Sequence, residues 1–291
     1  MRQVPVRKVG LAATGIAAYL TAVFLVNMNF QLSPLLAPVW QEELWNYGTA
    51  AAMLVLVYFL SKKATARQRP ELPTDRASVL WFFVVFAVAA GFTVAFWLIY
   101  NLTDPSSRVI PVLLAYVAMP LLYVGLACWR VKGHGILGFH FSAVDWQLAV
   151  TMILFATGAS VLRDRVFGIM NPLSSYLPLS LAAIPMFLIQ SLNNGIPEEA
   201  LFRGYLLPQL FAFFRRPWLA MLVMITVFGL YHLPLLLLGH NLGPWWLVAL
   251  QLAFPLQPTG LVFGYAYWRS RSLVPGIIFH TYTTLWASWY F

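Results

Sequence analysis

Long apolar runs, separated by short basic or Pro/Gly-containing breaks, dominate the pattern along this chain. They fall near residues 9–30, 46–60, 78–100, 109–129, 145–162, 178–214, 217–239, 245–268 and 272–291. A helix needs about 20 mostly apolar residues to cross a bilayer. The pattern therefore predicts an all-α, polytopic transmembrane helix bundle of about eight or nine spans. The sixth run is too long for one straight span, and Ser191-Leu192-Asn193-Asn194-Gly195-Ile196-Pro197 interrupts it with turn-forming residues. A broken helix near 191–197 is expected. Irregular backbone at membrane depth is tolerated only where protein or a water-filled cavity satisfies its polar groups, so the break in turn predicts a cavity.

Composition excludes a soluble globular domain. Of 291 residues, 61% are hydrophobic and 9% charged, with mean hydropathy +0.76, against about 25% charged in ordinary soluble domains. The net charge of +9 does not point to nucleic acid, because a nucleic-acid binder shows a basic face on a soluble fold. Here the basic residues sit between apolar runs, as topology signals. With the N-terminus inside, the inner segments hold Arg2, Arg7, Lys8, Lys62, Lys63, Arg67, Arg69, Arg76, Arg130, Lys132, Arg215, Arg216, Arg269 and Arg271, 14 of the 18 Lys and Arg residues. The outer segments hold only Arg108, Arg163 and Arg165. The positive-inside rule thus places the N-terminus in the cytoplasm and the C-terminus outside. The expected location is a prokaryotic cytoplasmic membrane, with the lipid bilayer as the first partner.

Smaller signals change little. The N-terminus resembles a signal peptide, but its apolar run exceeds the usual h-region of about 7 to 15 residues and is expected to stay as the first span. The single cysteine, Cys128, allows no intrachain disulfide and reads as packing. Asn101-Leu102-Thr103 fits a glycosylation pattern that occurs often by chance. Gly260 and Gly264 form a GxxxG whose ordinary role is close helix packing. The expected division is residues 1–177, about five N-terminal spans, and residues 178–291, which carry the chemistry.

Pro197 suits the first position of a helix restarting after the break, with Glu198 and Glu199 in its first turn, where the helix dipole favours negative charge. Glu199 and Arg203 are four apart on one face and can pair; Glu198 points about 100° away and has no such partner. Ionisable residues inside a membrane are functional hypotheses by default. Two histidines join them: His232, ending Phe228-Gly229-Leu230-Tyr231-His232, and His280 in the ninth run. An imidazole can take protons near neutral pH, orient a carboxylate and a water, or donate to a developing oxyanion. His134 and His140, in a basic inner loop, and His240, at an outer span end, have plainer explanations. Counting from the inner ends puts Glu198 and His232 ~24 and ~22 Å deep but His280 only ~13 Å. One site requires them to converge.

These residues carry a family resemblance. EExxxR over Glu198–Arg203 followed by Gly204, FxxxH over Phe228–His232, and a final histidine after Gly260, Gly264, Arg271-Ser272-Leu273 and Pro275 resemble the CAAX protease and bacteriocin-processing family. That group of intramembrane glutamate endopeptidases includes the type II CAAX prenyl endopeptidases. The likeness covers about residues 178 to 291, with three motifs in order on separate spans. It implies that Glu198, assisted by His232, activates the water that attacks a peptide bond, that Glu199 and Arg203 maintain the site, and that His280 stabilises the oxyanion. No metal or other cofactor is implied. The substrate would be a peptide or membrane protein, with or without a lipid group. The family usually places asparagine four residues after the last histidine, where this chain has Thr284, a shorter donor that must orient by rotation.

Other readings use the same residues. Glu198, His232 and His280 could form a three-ligand zinc site with water, although HExxH is absent. A noncatalytic relative would use its cavity to bind a lipid, a peptide or a partner protein. A transporter would have broken helices too, but no matching discontinuous pair appears in the two halves.

Overall fold

The computed structural model describes residues 40–61, 118–130, 138–139, 141–168, 183–232 and 258–286, with scattered helical positions between 80 and 99. The first predicted span, the basic loop after residue 61, the Asn101 triplet and His134, His140 and His240 lie outside the described residues.

Every regular element among the described residues is helical. They are α1 (Trp40–Leu60), α2 (Met119–Arg130), α3 (Ala143–Val166), α4 (Ala183–Gln190), π1 (Ser191–Gly195), α5 (Ile196–Glu198), π2 (Glu199–Leu206), α6 (Leu207–Phe214), α7 (Pro217–Tyr231), α8 (Pro258–Ser270) and α9 (Val274–Trp286). By length and composition, α3 is the described helix able to cross a membrane; the apolar stretches Trp45–Leu60 and Pro217–Tyr231 are shorter. The span count expected from sequence goes beyond what these elements establish.

Local chemistry sets the boundaries. Ser142 and Asp145 form a capping box at the start of α3: the Ser142 hydroxyl accepts from the Asp145 N–H, and the Asp145 carboxylate accepts from the Ser142 N–H at 2.9 Å. Arg215, in the left-handed region at φ 53°, ends α6, and Pro217 opens α7 two residues later. A comparable reversal separates α8 from α9. Arg271 has φ 58°, and the hydroxyls of Ser270 and Ser272 accept from the N–H groups of Ser272 and Val274. Gly138 closes over this turn, its carbonyl accepting from the Leu273 N–H at 2.8 Å. At φ +62°, with a Cβ there only 2.7 Å from the Arg271 carbonyl oxygen, this position requires glycine.

The expected break near 191–197 takes another form. Residues 183–214 remain helical throughout, and the α ladder widens into two π segments instead of unwinding. Each widening is closed by the residue that precedes a proline. The Ile196 N–H bonds to the Ser191 carbonyl ahead of Pro197, and the Leu207 N–H bonds to the Phe202 carbonyl ahead of Pro208. A proline inside a helix lacks an N–H and its ring presses on the carbonyl four residues back. Shifting the ladder to i→i+5 relieves that pressure without exposing backbone, which suits a buried segment.

Two apolar cores result. One joins π2, α6 and α7 through Leu201, Phe202, Leu206, Leu207, Met224 and Phe228. The other joins α1, α3, α8 and α9 through Met53, Val57, Leu148, Met152, Phe263 and Phe279. Helices α8 and α9 contribute to both, and Arg203 and His280 lie where the cores meet, against Phe228 of one and Phe263 of the other. The GxxxG in α8 serves this contact: a Cβ on Gly264 would stand 2.8 Å from Met224 Cε.

Candidate active site

Glu198 ends α5 and Glu199 opens π2, so the two carboxylates leave the helix where its ladder changes pitch. Both are buried, Glu198 at 8% exposure and Glu199 at 1%. Arg203, fully buried four residues later, brings Nη1 to 3.1 Å from Glu199 Oε1. The pairing is one of charge more than of aligned hydrogen bonds, since Nη1 and Nε find no hydrogen-bond partner of good geometry among the described residues. Nη2 reaches the Gly260 carbonyl at 3.5 Å. Removing such charges from water is tolerable only with compensation. Part of it comes from two aromatic faces: the guanidinium carbon lies 4.4 Å from the centre of the Phe228 ring and 5.1 Å from that of Phe263.

His280 enters from α9 and meets both glutamates. Its Nδ1 is 2.9 Å from Glu199 Oε1 and its Nε2 is 3.6 Å from Glu198 Oε2. Beside Arg203, Glu199 is an acceptor, so Nδ1–H donates to it and Nε2 is directed toward Glu198. His280 and Glu198 therefore converge, although helix counting from sequence gives them unequal depths.

His232 caps α7, just past Tyr231. Its Nδ1 is 2.9 Å from the Phe228 carbonyl oxygen. A carbonyl can only accept, so Nδ1 carries the hydrogen and Nε2 the lone pair. Phe228 contacts both histidines, with ring centres 4.9 Å from His232 and 6.1 Å from His280.

Thr284 turns its side chain back into α9. Its hydroxyl donates to the His280 carbonyl at 3.0 Å, as does that of Thr283 at 2.8 Å. Threonine reaches the carbonyl of the preceding turn easily from a helix, and its one hydrogen is committed there.

Sequence reasoning missed three contributors. Phe263 stacks on His280 with ring centres 5.0 Å apart and planes 18° apart. Gly276 admits the Glu199 carboxylate to the first turn of α9, where a Cβ would stand 2.7 Å from Oε2 and the helix dipole favours negative charge. Gly195 admits Thr281, whose hydroxyl is 3.0 Å from that of Ser191. Phe263 lies within the GxxxG noted above, which marks close approach, but nothing in one sequence pairs it with His280. Among the described residues, no three His, Cys, Asp or Glu side chains stand in an arrangement that would hold a metal ion.

Residues 180–286 match the model of the family described as type II CAAX prenyl endopeptidase Rce1-like. No curated protein and no solved structure matches the chain. The matched segment contains Glu198, Glu199, Arg203, His232, His280 and Thr284.

Proposed function

We propose, from the Rce1-like domain across residues 180–286, that this protein is an intramembrane endopeptidase hydrolysing a peptide bond with water activated by Glu198 and His232. The observation that supports it best is the buried cluster in which His280 faces Glu198 at 3.6 Å while bonded to Glu199 at 2.9 Å. In this reading a water held between the Glu198 carboxylate and His232 Nε2 gives its proton to Glu198 as its oxygen adds to the scissile carbonyl. The carbonyl electrons move onto oxygen; Glu198 passes the proton on to His280 Nε2, 3.6 Å away, and the N–H so formed stabilises that oxyanion. Collapse of the intermediate restores the carbonyl and breaks the C–N bond, and the proton returns from His280 through Glu198 to the departing amine. Glu199 and Arg203 hold His280 in orientation throughout.

A membrane-embedded bundle of eight or nine spans, N-terminus in the cytoplasm, fits apolar exposure along helix sides. α4 buries none of its residues, and Ile184, Met186 and Leu188 on it are 57%, 58% and 57% exposed. Such a surface suits lipid better than water. Residues 1–177 would supply about five spans and residues 178–291 the reacting groups. The substrate class to test first is a prenylated C-terminal peptide, following the matched family's description; an unlipidated peptide or membrane protein is the comparison. Incubation of the purified protein in lipid with both, beside Glu198→Gln, tests the reading. Cleavage lost in the variant supports it, and an inert parent protein refutes it.

One observation favours a noncatalytic relative that binds a lipid, peptide or partner: the Thr284 hydroxyl is spent inside its own helix. Tight binding of a prenylated peptide without turnover would mark that alternative.

A further inference from the structure

Two buried groups that carry charge or protons, Arg203 and His280, share two aromatic rings, one from each apolar core. Phe228 comes from the π2–α7 core and Phe263 from the α1–α3 core. Arg203 has its guanidinium carbon 4.4 and 5.1 Å from their centres. His280 meets Phe228 nearly edge to face, 79° between planes, and Phe263 nearly parallel, 18° between planes. Phe263 is 3% exposed and meets Phe279 edge to face, ring centres 5.5 Å apart. An imidazole held only by its Nδ1 bond to Glu199 could still turn about its own Cβ–Cγ bond, leave Glu199 and take either tautomer. A flat, immobile ring against its face removes this freedom.

We propose that Phe263 is a positioning residue that fixes the His280 ring plane, so that Nδ1 stays on Glu199 and Nε2 stays on Glu198. It acts through His280 and touches no reacting atom. The position needs a flat ring. Leucine or methionine fills comparable space but offers no plane, whereas tyrosine keeps one. Leucine at the equally buried Leu148, in the same core, makes no contact with His280 that the proposal uses, so Leu148→Ala measures general loosening alone.

The activity arm of the test rests on the endopeptidase reading; the spectroscopic arm does not. With ¹⁵N-histidine label in bilayers, His280 is assigned by subtraction of a His280→Gln spectrum and its tautomer read from the ring nitrogen shifts. Expected is a single Nδ1–H form in the parent protein, Phe263→Tyr and Leu148→Ala, and a mixture in Phe263→Leu and Phe263→Met. On peptide substrate, Phe263→Leu should lower kcat about ten- to hundredfold, with KM within about twofold, because a small misplacement of a reacting group acts on the chemical step. A parent-like tautomer in both Phe263→Leu and Phe263→Met overturns the proposal. So does a mixture in Phe263→Tyr or Leu148→Ala, which would show that general packing, and not the ring plane, controls His280. A changed tautomer in a protein without peptidase activity would sink the endopeptidase reading and leave the positioning role standing.

Discussion

His280 Nδ1 bonds Glu199 Oε1 at 2.9 Å, joining two motifs 81 residues apart in the chain. The same Glu199 oxygen is paired with Arg203. Helix α9 is therefore tied to π2 by a buried charged link, and the orientation of His280 toward Glu198 depends on it.

The two glutamates should respond differently to the same substitution. Removing one member of a buried charge pair costs about 3–5 kcal/mol, because the partner stays buried and uncompensated. Glu199→Gln should accordingly lower thermal stability markedly and reduce activity with it. Glu198→Gln should unfold within a few degrees of the parent protein. Thermal unfolding of both variants in the same detergent checks this, and equal losses would contradict the division of roles.

Gly195 tests the contact between π1 and α9. A Cβ there would stand 2.5 Å from Thr281 Oγ1 and 3.2 Å from the Ile277 backbone oxygen. The threonine cannot easily yield, being bonded to Ile277 at 2.8 Å and to Ser191 at 3.0 Å. Overpacking of this kind costs about 1–3 kcal/mol. Gly195→Ala should lower the unfolding temperature, and adding Thr281→Ala should recover part of the loss, giving a measurable coupling in a double-mutant cycle.

The all-helical character, the three motifs and the Glu199–Arg203 spacing were all legible in the sequence, because apolar periodicity and i, i+4 geometry are local properties. The wide turns were not. Pro197 signalled a disturbed ladder, but choosing between unwinding and a π turn depends on the burial of the surrounding backbone. The place of His280 was hidden as well, since a residue count along separate helices does not encode how α9 packs against π2. The partnership of Phe263 with His280 depends on how α8 packs beside α9, which no periodicity encodes.

Thr284 should prove dispensable for chemistry. Its hydroxyl donates to the His280 carbonyl, and Thr283 donates to the same oxygen. Thr284→Ala is expected to keep kcat within about threefold, whereas removing a true oxyanion donor costs about 10²–10³. Steady-state kinetics on one peptide decide between them, and a hundredfold fall would place the hydroxyl on the oxyanion.

Metal removal should leave turnover intact if Glu198 and His232 activate water directly. The test is peptide cleavage after exhaustive chelation, together with elemental analysis of the purified protein. Stoichiometric zinc, with activity lost on chelation and restored by zinc, would replace this mechanism by a metal-bound water while keeping the hydrolase assignment.

The most direct measurement is isotopic. Peptide cleavage in H₂¹⁸O, analysed by mass spectrometry after a single turnover, reports whether solvent oxygen adds to the scissile carbonyl. The expected result is one ¹⁸O in the new carboxyl terminus with the parent protein, and no cleavage product with Glu198→Gln despite a folded bundle. Equal product from both proteins would contradict a water activated by Glu198.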